Sequence, residues 1–476
     1  MLNSCPPLLF SAGRTYALKA FPVTTFIRPY SSVVKKFNTW IKLPVIQKLV
    51  ESELKKAQQN KTRLPFENTA IWYVQHSFET SLSVLDAFVA LGAKPAHIGV
   101  IDKEYSRCQG IQEEILKRKI NYKSGSPPAM LGGFKYSFIR DASQAMLAFM
   151  KNLDRVERII AVSHGQNFLE LLPSEIIEKY PIIGIEKTTA GLMESNVEGL
   201  PFPVINMAGC AAKVILESPI IADELIKKVM PFVPLADKKI TCGIVGYGNI
   251  GKALAHQLLS MGHNVIVYDH DPNKLKNIST KATTELAALL SFSDYIFGCT
   301  GRDITKAVDI FNFCNKEKTL ISCSSGDNEF LSLLQFIQKQ HNGKVNRSPL
   351  ANIEYVNSAG ANIRILRGGF PINFDGVSEA SSPEAIQLTR ALSLASVLYA
   401  SKLFQFPEIV NHGGIIKLSP EIQKFIAQKF LDCQPESYYS KEIINSFNNE
   451  NWIAEHSGGA DAETATQKSK MKAAYY

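Results

Sequence analysis

Residues Gly243 to Gly251 read GIVGYGNIG, placing Gly246, Gly248 and Gly251 between an apolar strand-like run (Ile240, Ile244, Val245) and a helix-like run (Ala253, Leu254, Leu258, Leu259). The chemistry open to such a loop is anion binding. Gly246 permits a tight turn, Gly248 lets the backbone approach a pyrophosphate, and Gly251 lets the helix pack closely on its strand, with the helix N-terminus facing the negative charge. Asn249 and Ile250, between the second and third glycines, belong to the same candidate cofactor set. A second strand, Asn264 to Tyr268, ends at Asp269, 23 residues beyond Gly246. A carboxylate there accepts hydrogen bonds from the ribose hydroxyls of NAD and repels the 2′-phosphate of NADP, so NAD is the expected cofactor, with His270 blurring the preference.

The elements that must position this loop are strands and helices in alternation. Ala70 to Val74 reads as a buried strand leading into Gln75-His76, and Ser77 to Leu91 as an amphipathic helix closed by Gly92. Strand signals recur at His97 to Ile101, Asn121-Tyr122 and Arg158 to Val162, with helical ones at Lys42 to Leu54 and Ala142 to Met150. This is the pattern of a parallel α/β sheet separate from the one after residue 240. In the second unit Asp294 to Thr300 and Thr319 to Cys323 continue the strands, and a long helix, Pro383 to Leu403, leaves it. The expected fold is α/β, with two Rossmann-like parallel-sheet domains and the NAD domain inserted in the substrate domain. The expected divisions are 1–30 as a presequence or disordered extension, 40–220 and 379–435 as the two parts of the substrate domain, 221–378 as the NAD domain, and 436–476 as a tail.

Charge narrows the partners. Of the 52 Lys and Arg in 476 residues, seven fall in the first 50, where there is no acid; the remaining chain holds 45 against 44 Asp and Glu. The body is therefore nearly neutral, which argues against nucleic acid. The acid-free N-terminus, with Arg28-Pro29-Tyr30-Ser31-Ser32, reads as a mitochondrial presequence or as a basic extension of a cytoplasmic protein. No apolar run of membrane-spanning length occurs, and the eight scattered cysteines form neither a disulfide framework nor a metal motif.

Segments between the two units resemble S-adenosyl-L-homocysteine hydrolase, in motif order from about residue 65 to about 430. Gln75-His76 with the ETSLSVLDAFVALGA helix, Gly184 to Gly191 (GIEKTTAG), Asn206 through Lys213 to Glu217, Cys299-Thr300-Gly301 with Gly326, and the GYGNIGK loop carry the resemblance. It implies that bound NAD transiently oxidises a ribose 3′-hydroxyl of S-adenosylhomocysteine or a related nucleoside thioether before the thiol is eliminated. Under this reading Lys213 assists the 3′-hydroxyl, Glu186 holds the ribose, Glu217 stands where the family has an aspartate, and His76 transfers a proton to the leaving group. Thr188, Thr189, Thr300, Gly301 and Asn373 join the cofactor set. The implied partners are an adenosine-type substrate and copies of the chain itself, as a dimer or tetramer.

The chain also departs from that pattern. Ser163 replaces a catalytic aspartate, an expected histidine corresponds to Asp327 or falls in a short deletion, Ser382-Pro383 replaces a His-Pro pair, and Ala222 and Phe78 replace a cysteine and a threonine. The tail is echoed only by Lys470, Lys472, Tyr475 and Tyr476. Two alternatives follow: an NAD-binding regulatory homologue, and an NAD-dependent dehydrogenase of another small substrate. The dehydrogenase stands last, for want of an evident arginine and His–carboxylate pair.

Overall fold

The computed structural model describes residues 43–458 apart from 109, 125–133, 166, 195, 277, 313, 342–344, 346, 378, 380 and 435–437. The presequence reading and the tail residues Lys470, Lys472, Tyr475 and Tyr476 lie outside the described residues. Thr69–Gln75 (β1) is buried at all seven positions, as a strand is only when both faces are covered. Ile71 and Tyr73 point to one face and join the helices Pro44–Asn60, Glu79–Ala90 and Pro383–Leu403 in one apolar cluster. Trp72 and Val74 point to the other and pack with Phe138, Met146 and Phe149 of the helix Phe134–Met150. The neighbouring strand has Gly99 where a Cβ would lie 2.4 Å from the Phe149 ring, so that glycine is the seat of the phenylalanine.

β1 is followed by Ile98–Asp102 (β2), Asn121–Lys123 (β3), Arg158–Ser163 (β4), Ile182–Glu186 (β5) and Pro203–Asn206 (β6). The second unit holds Thr241–Val245 (β7), Asn264–Tyr268 (β8), Lys281–Thr283 (β9), Tyr295–Gly298 (β10), Lys318–Ser322 (β11), Ile353–Val356 (β12) and Asn362–Ile365 (β13). A last strand, Gly414–Lys417 (β14), pairs with β6, so the second sheet is inserted in the chain of the first. The first sheet runs β14-β6-β5-β4-β1-β2-β3 and is parallel throughout; the second runs β12-β13-β11-β10-β7-β8-β9, with only β12 antiparallel. In each sheet the chain starts at the centre, winds to one edge, then returns to wind the other way. Order reverses at β1/β4 in the first and at β7/β10 in the second, the places where doubly wound sheets open a crevice at their strand C-termini.

Two expected features resolve differently in detail. The strand expected at Asp294 to Thr300 ends at Gly298, because the chain turns at Cys299 to Gly301, with Gly301 at φ 69°. Ser382-Pro383 serves as a helix start: the Ser382 hydroxyl accepts from the Ala385 N–H at 3.3 Å, and proline follows at the first helical position. Among the described residues no helix is long and apolar enough to cross a membrane.

Candidate functional site

At the β7/β10 reversal the three glycines answer three different demands. Gly246 sits at φ 97°, which a side chain disfavours. Gly248 adopts an ordinary φ of −78° as N-cap of the helix Asn249–Ser260, and the space a Cβ would enter is open. Gly251 packs so closely that a Cβ would lie 2.0 Å from the Gly246 carbonyl oxygen. A turn, an open approach and a close crossing at one helix N-terminus fit a dinucleotide pyrophosphate, with Asn249 and Ile250 in the first turn. When Gly251→Ala is made, the crossing must spread by more than 1 Å at about 1–3 kcal/mol, and titration with NADH is expected to show at least about a tenfold weaker complex.

Asp269 ends β8 as expected, but it is almost wholly buried and already engaged. It accepts from the N–H groups of Tyr247 at 2.8 Å and Asp271 at 3.0 Å, with Lys274 Nζ at 3.4 Å and His270 beside it. Burial pushes its carboxyl up, but the Asp271 and Tyr247 N–H groups together with Lys274 outweigh it and hold the carboxyl below the usual range. In the structure it braces the glycine loop through Tyr247. Across the crevice, the Thr300–Gly301 turn is held by the carboxylate of Glu329, a residue with no sequence signal of its own. Gly301 faces Ala190 of the first unit, so Thr188 and Thr189, at the start of the helix Thr189–Glu194, adjoin the same end of the crevice.

At the other reversal, β1 delivers His76 and β4 delivers His164, their rings 4.6 Å apart and nearly perpendicular. His76 Nδ1 lies 2.6 Å from the Ser106 hydroxyl, and that hydroxyl donates its proton to the Lys103 carbonyl at 2.8 Å. The arrangement that satisfies both contacts of the Ser106 hydroxyl assigns the His76 proton to Nδ1 and the lone pair to Nε2, which has no partner in the structure. Burial, then the charges of Lys103, Lys187 and Arg390, hold His76 well below the usual histidine value, so it is neutral at physiological pH. Gln75, fully buried, has neither amide atom hydrogen-bonded.

The remaining candidates do not converge on His76 in the expected way. Glu186 is buried and uses one oxygen to accept from Gly165 N–H (3.1 Å), Thr188 N–H (2.8 Å) and the Thr188 hydroxyl (2.8 Å), bracing two loops. Lys213 and Glu217 lie on a π-helical turn, Ala212–Glu217, and pair with each other, while Thr389 donates to the second oxygen of Glu217. Ser163 is buried under Gly165. Asp327 is buried in an ion pair with Arg347 at 2.7 Å. Ala222 lies in the core beneath the second sheet.

The two units meet over an aromatic floor. Phe374, on the segment that returns the chain from the second sheet, lies 4.2 Å from the His76 ring, with Phe78 and Tyr105 around it. Tyr105 donates to the Ser325 carbonyl of the second unit at 2.5 Å. Asn373, beside Phe374, has its carbonyl oxygen buried without a partner. Ser106, Tyr105, Lys103 and Phe374 all belong to this site without having been legible as such.

Comparison with known proteins bears on the second unit first. Residues 227–308 match the family model of the D-isomer specific 2-hydroxyacid dehydrogenase, NAD binding domain. An uncharacterized protein of Mycobacterium tuberculosis, MT0113 in strain CDC 1551 / Oshkosh and Rv0104 in strain H37Rv, is 29% identical over 330 residues, 69% of this chain. The chain spans 63% of the length of these relatives. Among solved structures, the NADPH-dependent glyoxylate/hydroxypyruvate reductase of Sinorhizobium meliloti with NADP and malonate is 16% identical, with TM-score 0.37, over 71% of this chain and 94% of that one. The NAD+-bound 3-phosphoglycerate dehydrogenase of Entamoeba histolytica is 12% identical, with TM-score 0.37, over 72% and 97%.

The chain is therefore a two-sheet α/β protein whose second unit is similar, over residues 227–308, to the NAD-binding domain of D-isomer specific 2-hydroxyacid dehydrogenases, and NAD is its cofactor. The resemblance to S-adenosyl-L-homocysteine hydrolase is overturned: the matched model is that of a dehydrogenase domain. The physical reason lies in the residues that carried it. The glycine loop belongs to both kinds of protein, Glu186 is used as a loop brace, and Lys213 and Glu217 neutralise one another. Thioether hydrolysis and a place in one-carbon metabolism fall with that reading.

Proposed function

We propose that the chain is an NAD-dependent oxidoreductase that interconverts a hydroxyl and a carbonyl on a small substrate, with His76 as the proton acceptor. The observation that carries this reading is the lone pair on His76 Nε2, fixed by the Ser106–Lys103 relay at the strand-order reversal of the first sheet. When bound, NAD supplies the hydride acceptor. The substrate O–H proton passes to His76 Nε2 as the carbon–hydrogen bond gives up its hydride, leaving a C=O; reduction runs the same steps backward. Neutral His76 suits it to the oxidative direction, and the neighbouring Lys103 and Arg390 favour a substrate bearing a carboxylate.

Small 2-hydroxy acids and their 2-oxo counterparts are the substrates to test first, because the matched domain model is that of their dehydrogenases. The full chain is incubated with NAD and each hydroxy acid, or NADH and each oxo acid, while NADH absorbance is followed. Turnover with one member and loss of it in His76→Gln is the expected result. A protein that binds NADH yet turns over no member of the panel in either direction contradicts the proposal.

A further inference from the structure

Glu329 lies just before the helix Leu331–Gln340 and is fully buried. One oxygen accepts from the Thr300 N–H at 2.7 Å and the other from the Gly301 N–H at 2.9 Å, while the Thr300 hydroxyl shares its one proton between the first oxygen at 2.8 Å and the Arg302 carbonyl at 2.9 Å. Its own carbonyl accepts from the Ile304 N–H at 3.0 Å, so the residue ties both ends of the turn that leaves β10. The strand is shaped to receive it: a Cβ on Gly298 would lie 2.4 Å from Glu329 Cγ. A carboxylate is an expensive device for shaping a loop in the protein interior. Its position explains the expense, because the turn stands beside Gly246, whose Cβ would meet Thr300 Cγ2 at 2.8 Å.

We propose that Glu329 is a positioning residue of the cofactor site, whose ionised carboxylate holds the Thr300–Gly301 turn in the shape that receives NAD and makes NAD binding depend on pH. This rests on the assignment of that turn to the cofactor. Both oxygens act as acceptors, which only the ionised form does fully. Burial pushes the carboxyl up to about 7, while the Thr300 and Gly301 donors and the Ser324 hydroxyl pull it down. Among the described residues the Cys323 thiol, at the end of β11, faces it and lies beside the Cys299 thiol at the end of β10. Asp303, nearby, is turned to Thr305 and Ser332, and Arg302 is exposed. As pH falls through this range the carboxyl gains a proton, one acceptor becomes a donor, and the turn loses part of its clamp.

The test is a titration of the full chain with NADH, read by nucleotide fluorescence, from pH 5.5 to 8.5. The dissociation constant is expected to rise about tenfold toward acid pH. Glu329→Gln, nearly the same in shape, opposes one N–H with another; it binds about tenfold more weakly at pH 8 and shows a flat profile. Thr300→Ala removes a donor that favours the ionised form, so its midpoint moves to higher pH even if Glu329→Gln folds poorly. His270 lies beside Asp269 in the other half of the crevice, so the titration is repeated in His270→Gln, which keeps the pH dependence. A Glu329→Gln protein with wild-type affinity and profile, or an unmoved midpoint in Thr300→Ala, overturns the proposal. Tight but pH-independent binding by the unaltered chain overturns it alone, whereas no NADH binding at any pH overturns the cofactor assignment with it.

Discussion

His76→Gln is expected to lower NAD-linked turnover by about 10²- to 10⁴-fold, the usual contribution of one general base, while NADH affinity is unchanged because the glycine crevice lies on the other sheet. Glutamine matches the ring in approximate reach but cannot take a proton in this range. Ser106→Ala tests the same idea from behind. With no acceptor at Nδ1 the ring is free to change tautomer, and a partial loss of turnover is expected without loss of NADH binding. The pH profile carries the sign. Burial and the three cations keep His76 neutral well below the usual histidine range, so the oxidative rate stays level through neutrality and falls only in more acid solution. The reductive rate, which needs the imidazolium, rises in the same direction. An oxidative profile that bends near the ordinary histidine value means that another group holds the proton. The same depressed value makes His76 a source of acid instability, since the unfolded chain takes up the proton that the folded one refuses as pH drops below about 6.5.

The glycine loop was legible because its demands are local. A positive φ at Gly246, open space at Gly248 and a close crossing at Gly251 are each imposed within a few residues, and each excludes nearly every other residue type. The alternation of strands and helices was legible for the same reason. Strand order was not, because whether β4 returns to the centre beside β1 depends on packing between distant segments. The candidate catalytic set failed at that range. Glu186 reads as a ligand-binding carboxylate until Gly165 and Thr188 are seen to occupy it, and Lys213 and Glu217 read as two separate catalytic groups until folding is seen to pair them. Conversely, the Ser106 hydroxyl that sets the tautomer of His76 is 30 residues away, and Glu329 is 29 from the threonine it holds. Their residue types are too common to stand out before folding brings them together.

Asp327 is one of the departures from the hydrolase pattern, and its buried partner leads to the second large effect. Arg347 places one nitrogen 2.7 Å from the Asp327 carboxylate, another 2.8 Å from the Asp327 carbonyl and its Nε 2.8 Å from the Gly368 carbonyl. Its guanidinium also lies over the Phe370 ring at 4.2 Å. The backbone it clips is Arg367-Gly368-Gly369, three successive residues at positive φ, where the chain leaves the second sheet for the first. The site is shaped for a flat, forked cation, and a Cβ on Gly368 would meet the Ser348 carbonyl at 2.7 Å. Arg347→Ala leaves the carboxylate in a dry interior, and a loss of about 3–5 kcal/mol is expected. Arg347→Lys falls between, keeping the charge but losing the fork and the ring contact. The double change Asp327→Leu with Arg347→Met removes both charges and should recover most of the stability, as replacement of a buried pair by apolar side chains commonly does. Because a two-unit chain of this size need not unfold in one step, the measurement is native-state hydrogen exchange over β11 and the segment 366–376. Faster exchange in Arg347→Ala confined to those segments, reversed in the double variant, is the expected result. Equal protection in all three proteins would mean that the pair does not hold the crossover, and that Phe374 beside His76, and Phe370 stacked on Tyr105 at 5.8 Å, owe their places to apolar packing alone.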